Sequence, residues 1–168
     1  MNAPAERHMI SVDAGAGRFN FRSAGIAQRD GHVLLQRMMT GAYWFLPGGR
    51  VELTEPSAIT LARELEEELG VEAEVGRLCF VVEAFFKDEG RRIHELATYY
   101  AVVLPETFPF RTDGEVCFEC EDGGQRMHFK WVPVSAAALA GADFQPAVLR
   151  DRLAQLPTGI EHIVAIED

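Results

Sequence analysis

The feature that most constrains the fold is the stretch RELEEELGV at residues 63–71, which carries four glutamates. Pro56 suits the first turn of a helix and Gly70 suits its end, so the sequence predicts a helix over 56–69. Drawn at 100° per residue, its apolar side chains lie on one face, which must pack against another layer of the protein. Three glutamates share a separate face: Glu64, Glu67 and Glu68.

This carboxylate face has two interpretations. A hard divalent cation such as Mg²⁺ or Mn²⁺ binds oxygen ligands of this kind and takes the rest of its shell from water and substrate phosphates. The alternative is a solvated acidic face, which is the commoner role of a charge run. Glu66 points away from the other three glutamates, whereas Arg63 lies one turn before Glu67 and is placed to pair with it. The helix alone leaves both interpretations open.

The rest of the pattern predicts a mixed sheet. Strands are expected at 19–28, 32–39, 78–86, 96–104, 127–134 and 162–166. The runs LCFVVEAFF and LATYYAVVL are nearly continuous in apolar residues, which is typical of central strands buried on both faces. Asp30-Gly31 indicates a hairpin turn, and Pro47-Gly48-Gly49 indicates a tight loop.

The remaining elements complete an α+β pattern. Ser135 is expected to cap a short helix ending at Ala140, and 146–156 is predicted to form a second full helix. The acidic, glycine-rich segment 108–125 is predicted to be an irregular loop. Residues 1–17 are predicted to be a flexible N-terminal segment, and residues 18–168 are expected to form one domain.

Composition excludes several classes of partner. The net charge of −10 argues against non-specific binding to nucleic acid or to an anionic membrane. No apolar run is long enough to cross a bilayer, and the N-terminus lacks a signal-peptide segment, so a cytoplasmic protein is expected. Three cysteines without a secretory signal argue against a disulfide framework. Cys117 and Cys120 form a single C-x2-C, and the lack of a second pair argues against zinc.

The helix and its flanks together match a longer pattern. Residues 49–71 contain Gly49-x5-Glu55-x7-Arg63-Glu64-Leu65-x-Glu67-Glu68-x-Gly70-Val71. This stretch resembles the box of the Nudix hydrolase family (MutT-like), G-x5-E-x7-R-E-U-x-E-E-x-G-U with U aliphatic, at every defined position. The resemblance implies an α/β/α sandwich with a mixed β-sheet between helices. It also implies a pyrophosphohydrolase that uses Mg²⁺ or Mn²⁺ and cleaves a nucleoside diphosphate linked to another moiety by water attack on phosphorus.

The resemblance also suggests roles for individual residues. The metal ligands would be Glu64, Glu67, Glu68 and the carbonyl of Gly48. Arg63 would orient Glu67, and Glu55 would tie the loop to the helix. In parts of the family the general base is a box glutamate, and in others it is a glutamate from a later loop. Among the glutamates of the loop 113–125 we favour Glu121, which precedes Trp131 by about ten residues.

Substrate contacts are predicted from residue type and position. Arg22 and Arg37 lie on strands near the expected site and are candidates to hold phosphates. Trp44 is a candidate to stack on a base, with packing in the core as the favoured alternative. His94-Glu95 opens a strand and is expected to line the end of the sheet, with contact to substrate as the other option.

The substrate itself is left at the level of a class. The signatures that mark the NADH, coenzyme A and diadenosine polyphosphate subgroups are not evident, and Phe85-Phe86-Lys87 stands where the ADP-ribose subgroup has a proline. A nucleoside triphosphate or sugar nucleotide is the default, and association as a homodimer is left open. The alternative to hydrolysis is a nucleotide-binding sensor, which the complete box argues against.

Overall fold

The computed structural model describes residues 7–167, which form a nine-stranded sheet with helices on both faces. The strands are β1 (Ser11–Ala14), β2 (Gly17–Arg29), β3 (His32–Met38), β4 (Gly48–Arg50), β5 (Glu74–Asp88), β6 (Arg91–Val103), β7 (Val116–Asp122), β8 (Gln125–Pro133) and β9 (Glu161–Ile166). The helices are α1 (Ser57–Leu69) and α2 (Ala136–Gly141), with a 3₁₀ turn at Ala147–Leu149.

The sheet is mixed, as predicted. Its strand order is β7-β8-β3-β2-β6-β5-β9, and β1 and β4 pair with β2. The pairs β2–β6 and β5–β9 are parallel, and the other pairs are antiparallel. β2 and β3 pair only next to their turn, at Gln28 and Arg29, and β4 takes over as the partner of β2 at Arg22–Ala24. The sheet therefore opens between β2 and β3, and β4 borders this opening.

Two hydrophobic cores hold the layers together. On one face Leu61, Leu65 and Leu69 of α1 pack in a cluster with Phe129 and Trp131 of β8. The core of the opposite face is built around these side chains: Trp44, Leu139, Phe144, Leu149 and Leu153. A sheet between two helical layers is the α/β/α sandwich expected from the resemblance, so the predicted fold class is confirmed.

The predicted boundaries of α1 hold, for identifiable reasons. Pro56 is the N-cap and has an extended backbone, which suits its fixed φ. Gly70 ends the helix in the left-handed conformation at φ 66°, and its N–H donates to the carbonyl of Glu66. Ser135 accepts a hydrogen bond from the N–H of Ala138 and caps α2.

The predicted full helix over 146–156 is wrong. Only Ala147–Leu149 are helical, as a 3₁₀ turn, and turns follow. Leu149 and Leu153 are fully buried, so the apolar pattern marks the core without an α-helix. Side chains bond to backbone carbonyls of this segment: Gln28 Nε2 donates to Leu153 O at 2.6 Å and Arg152 Nη1 donates to Val148 O at 2.7 Å.

The prediction of an irregular loop over 108–125 is wrong for its second half. Val116–Asp122 form β7, which pairs antiparallel with β8. Gly123 and Gly124 make the hairpin turn, and both have positive φ. Phe118 and Cys120 pack on the α1 side of the sheet, so the acidic residues alternate with apolar ones as in a half-buried strand.

The N-terminal prediction also needs correction. Residues 1–6 lie outside the described part of the chain. Ser11–Ala14, which we predicted to be flexible, form β1 against β2. Ile10 N–H donates to Val51 O at 2.8 Å, which attaches this segment to the loop before α1. In residues 7–167 no helix is long and apolar enough to cross a membrane.

Candidate active site

The acidic face of α1 meets the opening between β2 and β3. Leu65 and Leu69 are buried and Glu66 is exposed, as the helical wheel predicted. The other three glutamates differ in exposure. Glu67 has a side chain that is 46% exposed, Glu64 is half-buried, and Glu68 is 6% exposed.

Arg63 connects these carboxylates to the loop before the helix. Its Nη1 donates to Glu64 Oε1 at 2.9 Å and to Glu67 Oε2 at 3.2 Å. Its Nη2 donates to Glu55 Oε2 at 3.0 Å, and this hydrogen bond is the main reason that the pKa of Glu55 is lowered. Thr60 Oγ1 also donates to Glu55, at 2.7 Å. Arg63 therefore fixes the orientation of three carboxylates.

Gly48 and Gly49 begin strand β4, where the sequence predicted a tight loop, and there is little space beside either residue. A Cβ on Gly48 would lie 2.1 Å from Ser23 O, and φ at Gly48 is 156°. A Cβ on Gly49 would lie 2.4 Å from Glu64 Oε2. Because a Cβ atom essentially never approaches backbone atoms so closely, only glycine at position 48 lets β4 lie against β2. A side chain at position 49 would displace the carboxylate of Glu64.

Glu68 is the most perturbed of the three carboxyl groups. Its Oε2 is buried and has no hydrogen-bond partner within residues 7–167. Burial, followed by the negative charge of Glu64, raises the pKa of Glu68 to about 8. The charge of Arg22 and a hydrogen bond from Gln36 act in the opposite direction. Burial likewise raises the pKa of Glu64. Arg63 compensates the charge of Glu64 in part, whereas the surroundings of Glu68 disfavour a negative charge on its carboxyl group.

These residues fit a hard divalent cation in chemistry but are not gathered around one point. Among residues 7–167, no group of three His, Cys, Asp or Glu side chains is close enough together to hold a metal. Part of the reason is that both carboxylate oxygens of Glu67 already accept hydrogen bonds, Oε1 from Arg7 at 2.8 Å and Oε2 from Arg63. The unpartnered oxygen of Glu68, close to the charge of Glu64, is the feature that a cation would satisfy.

Strand alternation separates Glu121 from this acidic face. Phe118 and Cys120 point toward the α1 side of β7, so Asp122 follows on that side and Glu121 points to the other. Burial is the main cause of the raised pKa of Glu68, and the charge of Asp122 adds to it. The structure therefore brings Asp122 toward the glutamates and directs Glu121, our predicted base, away from them.

Two of the three predicted substrate-binding residues lie away from the acidic face. Arg22 is near it: Nη2 donates to Leu46 O at 3.1 Å, the guanidinium lies 5.1 Å from the centre of the Phe45 ring, and its charge acts on Glu68. Trp44 is 5% exposed and packs in the core of the face opposite α1, so the core alternative is the correct one. Arg37 stacks over Trp44 at 4.6 Å, on that same opposite face.

Gln36 and Asp122 are site residues that sequence reasoning missed. The Oε1 of Gln36 accepts from Gly48 N–H at 3.3 Å, and its side chain also bonds to Glu68. Gln36 is 1% exposed. The signal for it in the sequence was a polar residue that follows the apolar residues of β3. For Asp122 the signal was the alternation of apolar and acidic residues from Phe118 onward.

Two other motifs were singled out in the sequence, and one residue of each is close to this site, since the charges of Glu68 and Asp122 act on Cys120 and that of Arg22 acts on Glu95. His94 Nε2 pairs with Glu83 at 2.9 Å, and its ring stacks on Phe85. Glu95 is in register with Asn20, and burial raises its pKa. The other motif consists of two free thiols, Cys117 and Cys120. Burial raises the pKa of both thiols, that of Cys120 to about 11.

Comparisons with known proteins point to one family. The model of the NUDIX domain matches residues 20–152. The CTP pyrophosphohydrolase of Escherichia coli (strain K12) is 40% identical over 75 residues, which are 42% of this chain and 54% of that protein. The chain thus matches about half the length of this curated relative.

Solved structures support the fold. A NUDIX hydrolase from Nitrosomonas europaea superposes with a TM-score of 0.57 at 18% identity, covering 87% of this chain and 78% of that one. A MutT NUDIX hydrolase from Burkholderia pseudomallei superposes with a TM-score of 0.50 at 26% identity, covering 69% of this chain and 84% of that one. Since the family model covers most of the chain, and box and fold agree with it, the protein belongs to the Nudix family.

Proposed function

We propose that this chain is a divalent-metal-dependent pyrophosphohydrolase that cleaves a nucleoside triphosphate or a similar nucleoside diphosphate derivative. One observation carries the proposal: Glu68 Oε2 is buried, is next to the charge of Glu64, and has no hydrogen-bond partner within residues 7–167. A buried carboxylate without a hydrogen bond lowers the stability of the fold unless a cation neutralises its charge. The likeness to a CTP pyrophosphohydrolase supports a nucleoside triphosphate as the first substrate to test.

Mg²⁺ or Mn²⁺, when bound, would polarise a phosphoryl oxygen and acidify water for attack on phosphorus. Four groups are proposed to hold it: Glu64, Glu67, Glu68 and the carbonyl of Gly48. Arg63 orients Glu64 and Glu67 through its hydrogen bonds and need not touch the substrate. Gln36 ties the Gly48 N–H to the same corner of the sheet, which fixes the loop relative to α1.

The other charged groups of the opening have distinct proposed roles. Arg22 makes no ion pair in the described part of the chain, so its guanidinium has donors left for phosphoryl oxygens. The base that accepts the proton of the attacking water is proposed to be Glu68 or Asp122, whose carboxylates are close enough to influence each other. Water attack breaks one P–O bond of the anhydride and yields a nucleoside monophosphate and pyrophosphate.

Turnover of a substrate panel tests this function. Nucleoside triphosphates, ADP-ribose, sugar nucleotides and dinucleotides are incubated with Mg²⁺, and the phosphorus-containing products are followed by ³¹P NMR. We expect release of pyrophosphate from at least one triphosphate and a loss of more than about 100-fold in Glu68→Gln. Glu66→Gln is the matched control, because Glu66 is exposed on the same helix and points elsewhere.

The outcomes separate enzyme from sensor. Turnover that is unchanged in Glu68→Gln would contradict the assignment of Glu68. If none of the panel is hydrolysed but a nucleotide still raises the unfolding temperature, the chain is a nucleotide-binding sensor and hydrolysis is excluded for these substrates.

A further inference from the structure

Two cations stack on one indole on the face of the sheet opposite α1. The guanidinium of Arg37 lies 4.6 Å from the centre of the Trp44 ring, and Lys130 Nζ lies 4.3 Å from it. Arg37 is on β3 and Lys130 on the neighbouring β8, in register with Leu35. Both side chains are only partly buried, so solvent and small solutes reach them.

The positive charge of this cluster is not neutralised. Within residues 7–167 neither Arg37 nor Lys130 makes an ion pair with a carboxylate, in a chain whose net charge is −10. The Nε of Arg37 is buried and has no hydrogen-bond partner in that range. Burial and then the charge of Arg37 lower the pKa of Lys130, so the two cations are close enough to repel.

Titratable side chains of β8 and of the segment before it lie around the cluster. His128 is the cross-strand neighbour of Arg37, and its Nε2 lies 3.4 Å from Glu119. Glu115 is near enough to act on Lys130 but does not pair with it. A cation–π contact stabilises each cation but supplies no acceptor for the Nε–H of Arg37. An anion on the exposed side of the cluster would relieve the repulsion between the two cations.

This cluster is separate from the candidate active site. Gln36 and Arg37 are consecutive on β3, so their side chains point to opposite faces of the sheet. Gln36 bonds to Gly48 on the α1 side, whereas Arg37 lies against the core of the other side. A ligand held by Arg37 and Lys130 would therefore occupy a second site, with the sheet between it and the acidic face of α1.

We propose that Arg37 and Lys130, which both lie over the ring of Trp44, form an anion-binding site for a phosphate group. The guanidinium fork matches two oxygens of a phosphate, and the ammonium adds a second positive charge. The phosphate group has two candidate sources, which are inorganic phosphate or pyrophosphate and the polyphosphate chain of a nucleotide.

Trp44 can be used as a spectroscopic probe of the site. The chain contains two tryptophans, and the other, Trp131, is buried on the α1 side under Arg29. In protein labelled with 5-fluorotryptophan, two ¹⁹F resonances report the two sites, and Trp44→Phe assigns them. Phosphate, pyrophosphate and CTP are titrated separately in EDTA at constant ionic strength, so that no divalent metal contributes.

We expect a saturable shift of the Trp44 resonance and none of the Trp131 resonance. Lys130→Met keeps the aliphatic stem and removes the charge, and should weaken binding by about tenfold or more. Lys130→Arg keeps the charge and should retain binding, which distinguishes charge from folding. Lys87→Met, at an exposed lysine of β5, is the control for the loss of one positive charge.

The proposal is overturned if none of the three anions shifts Trp44, or if Lys130→Met binds as tightly as the parent protein. It is also overturned if only CTP shifts Trp44 and Glu68→Gln abolishes the shift, because the ligand would then be in the candidate active site. If phosphate and pyrophosphate still bind to the Glu68→Gln variant, the result supports a free anion as the ligand. If CTP still binds to that variant, the result supports the polyphosphate chain of a nucleotide.

Discussion

Single residues of the candidate active site combine deep burial with charge. Glu68 is almost completely buried and its Oε2 has no hydrogen bond in the described part of the chain. Gly49 leaves room for Glu64 that any other residue would fill. A buried carboxylate without a hydrogen bond weakens the fold in the absence of a cation, so the proposed metal site predicts a cost in stability at this corner of the molecule.

Replacing Glu68 tests directly how much its buried carboxylate destabilises the folded protein. The pKa of Glu68 is about 8 in the folded protein and near 4.5 when unfolded, so between these values the folded state binds more protons. Stability therefore falls as the pH rises through this window. In EDTA, Glu68→Gln should raise the free energy of unfolding by about 1–3 kcal/mol above pH 8 and by much less near pH 5.

Urea unfolding of both proteins at the two pH values measures this difference. Glu66→Gln should show no such pH dependence, because that side chain is exposed. A gain of equal size at both pH values would mean that the effect of the substitution is unrelated to the charge of Glu68.

At the scale of elements, strand β7 decides which acidic residue faces α1. Our prediction used the spacing of Glu121 from Trp131, which is a distance along the sequence. The side chains of a strand alternate between faces, and Phe118 and Cys120 occupy the α1 side. Asp122 is the acidic residue on that side, and its charge reaches Glu64 and Glu68.

A pair of neighbouring substitutions tests this alternation. If the protein hydrolyses a nucleotide, Asp122→Asn should lower kcat/KM by about tenfold or more, because a charge beside the reacting groups is removed. Glu121→Gln, one residue away and of the same charge change, should stay within about twofold. Steady-state kinetics with Mg²⁺ measure both. The reverse order of effects would restore Glu121 as the candidate base.

At the scale of the whole molecule, the N-terminal segment reaches the acidic face of α1. Arg7 Nη1 donates to Glu67 Oε1 at 2.8 Å, although the two residues are 60 positions apart. The connection is maintained by Ile10, which bonds to Val51 of the loop before α1. Glu67 is thereby held by two arginines, which compete with any metal for its oxygens.

Removal of Arg7 should therefore strengthen metal binding. Arg7→Ala frees one oxygen of Glu67, and because the pair is exposed the gain in Mn²⁺ affinity should be modest, roughly twofold to fivefold. Isothermal titration calorimetry at low ionic strength measures the affinity. Lys87→Ala has the same change of net charge and should leave the affinity unchanged. Equal effects of both variants would indicate a general electrostatic cause.

The sequence by itself determined the amphipathic helix, its two ends and the glutamates that share its face. These depend on contacts within a few residues, namely helical periodicity, a proline at the start and a glycine in the left-handed conformation at the end. The same holds for most strands and for the hairpin at Asp30-Gly31, whose two positive φ angles are a local property.

Only the tertiary structure decided which side chains meet. Which side of the sheet Arg37 and Trp44 occupy depends on the pairing of β3 with β8 and on what covers each face. The 3₁₀ turn at Ala147–Leu149 replaces a helix because distant side chains such as Gln28 bond to nearby carbonyls. The burial of Glu68 likewise arises from the packing of α1 over the opening between β2 and β3, a contact between segments far apart in the chain.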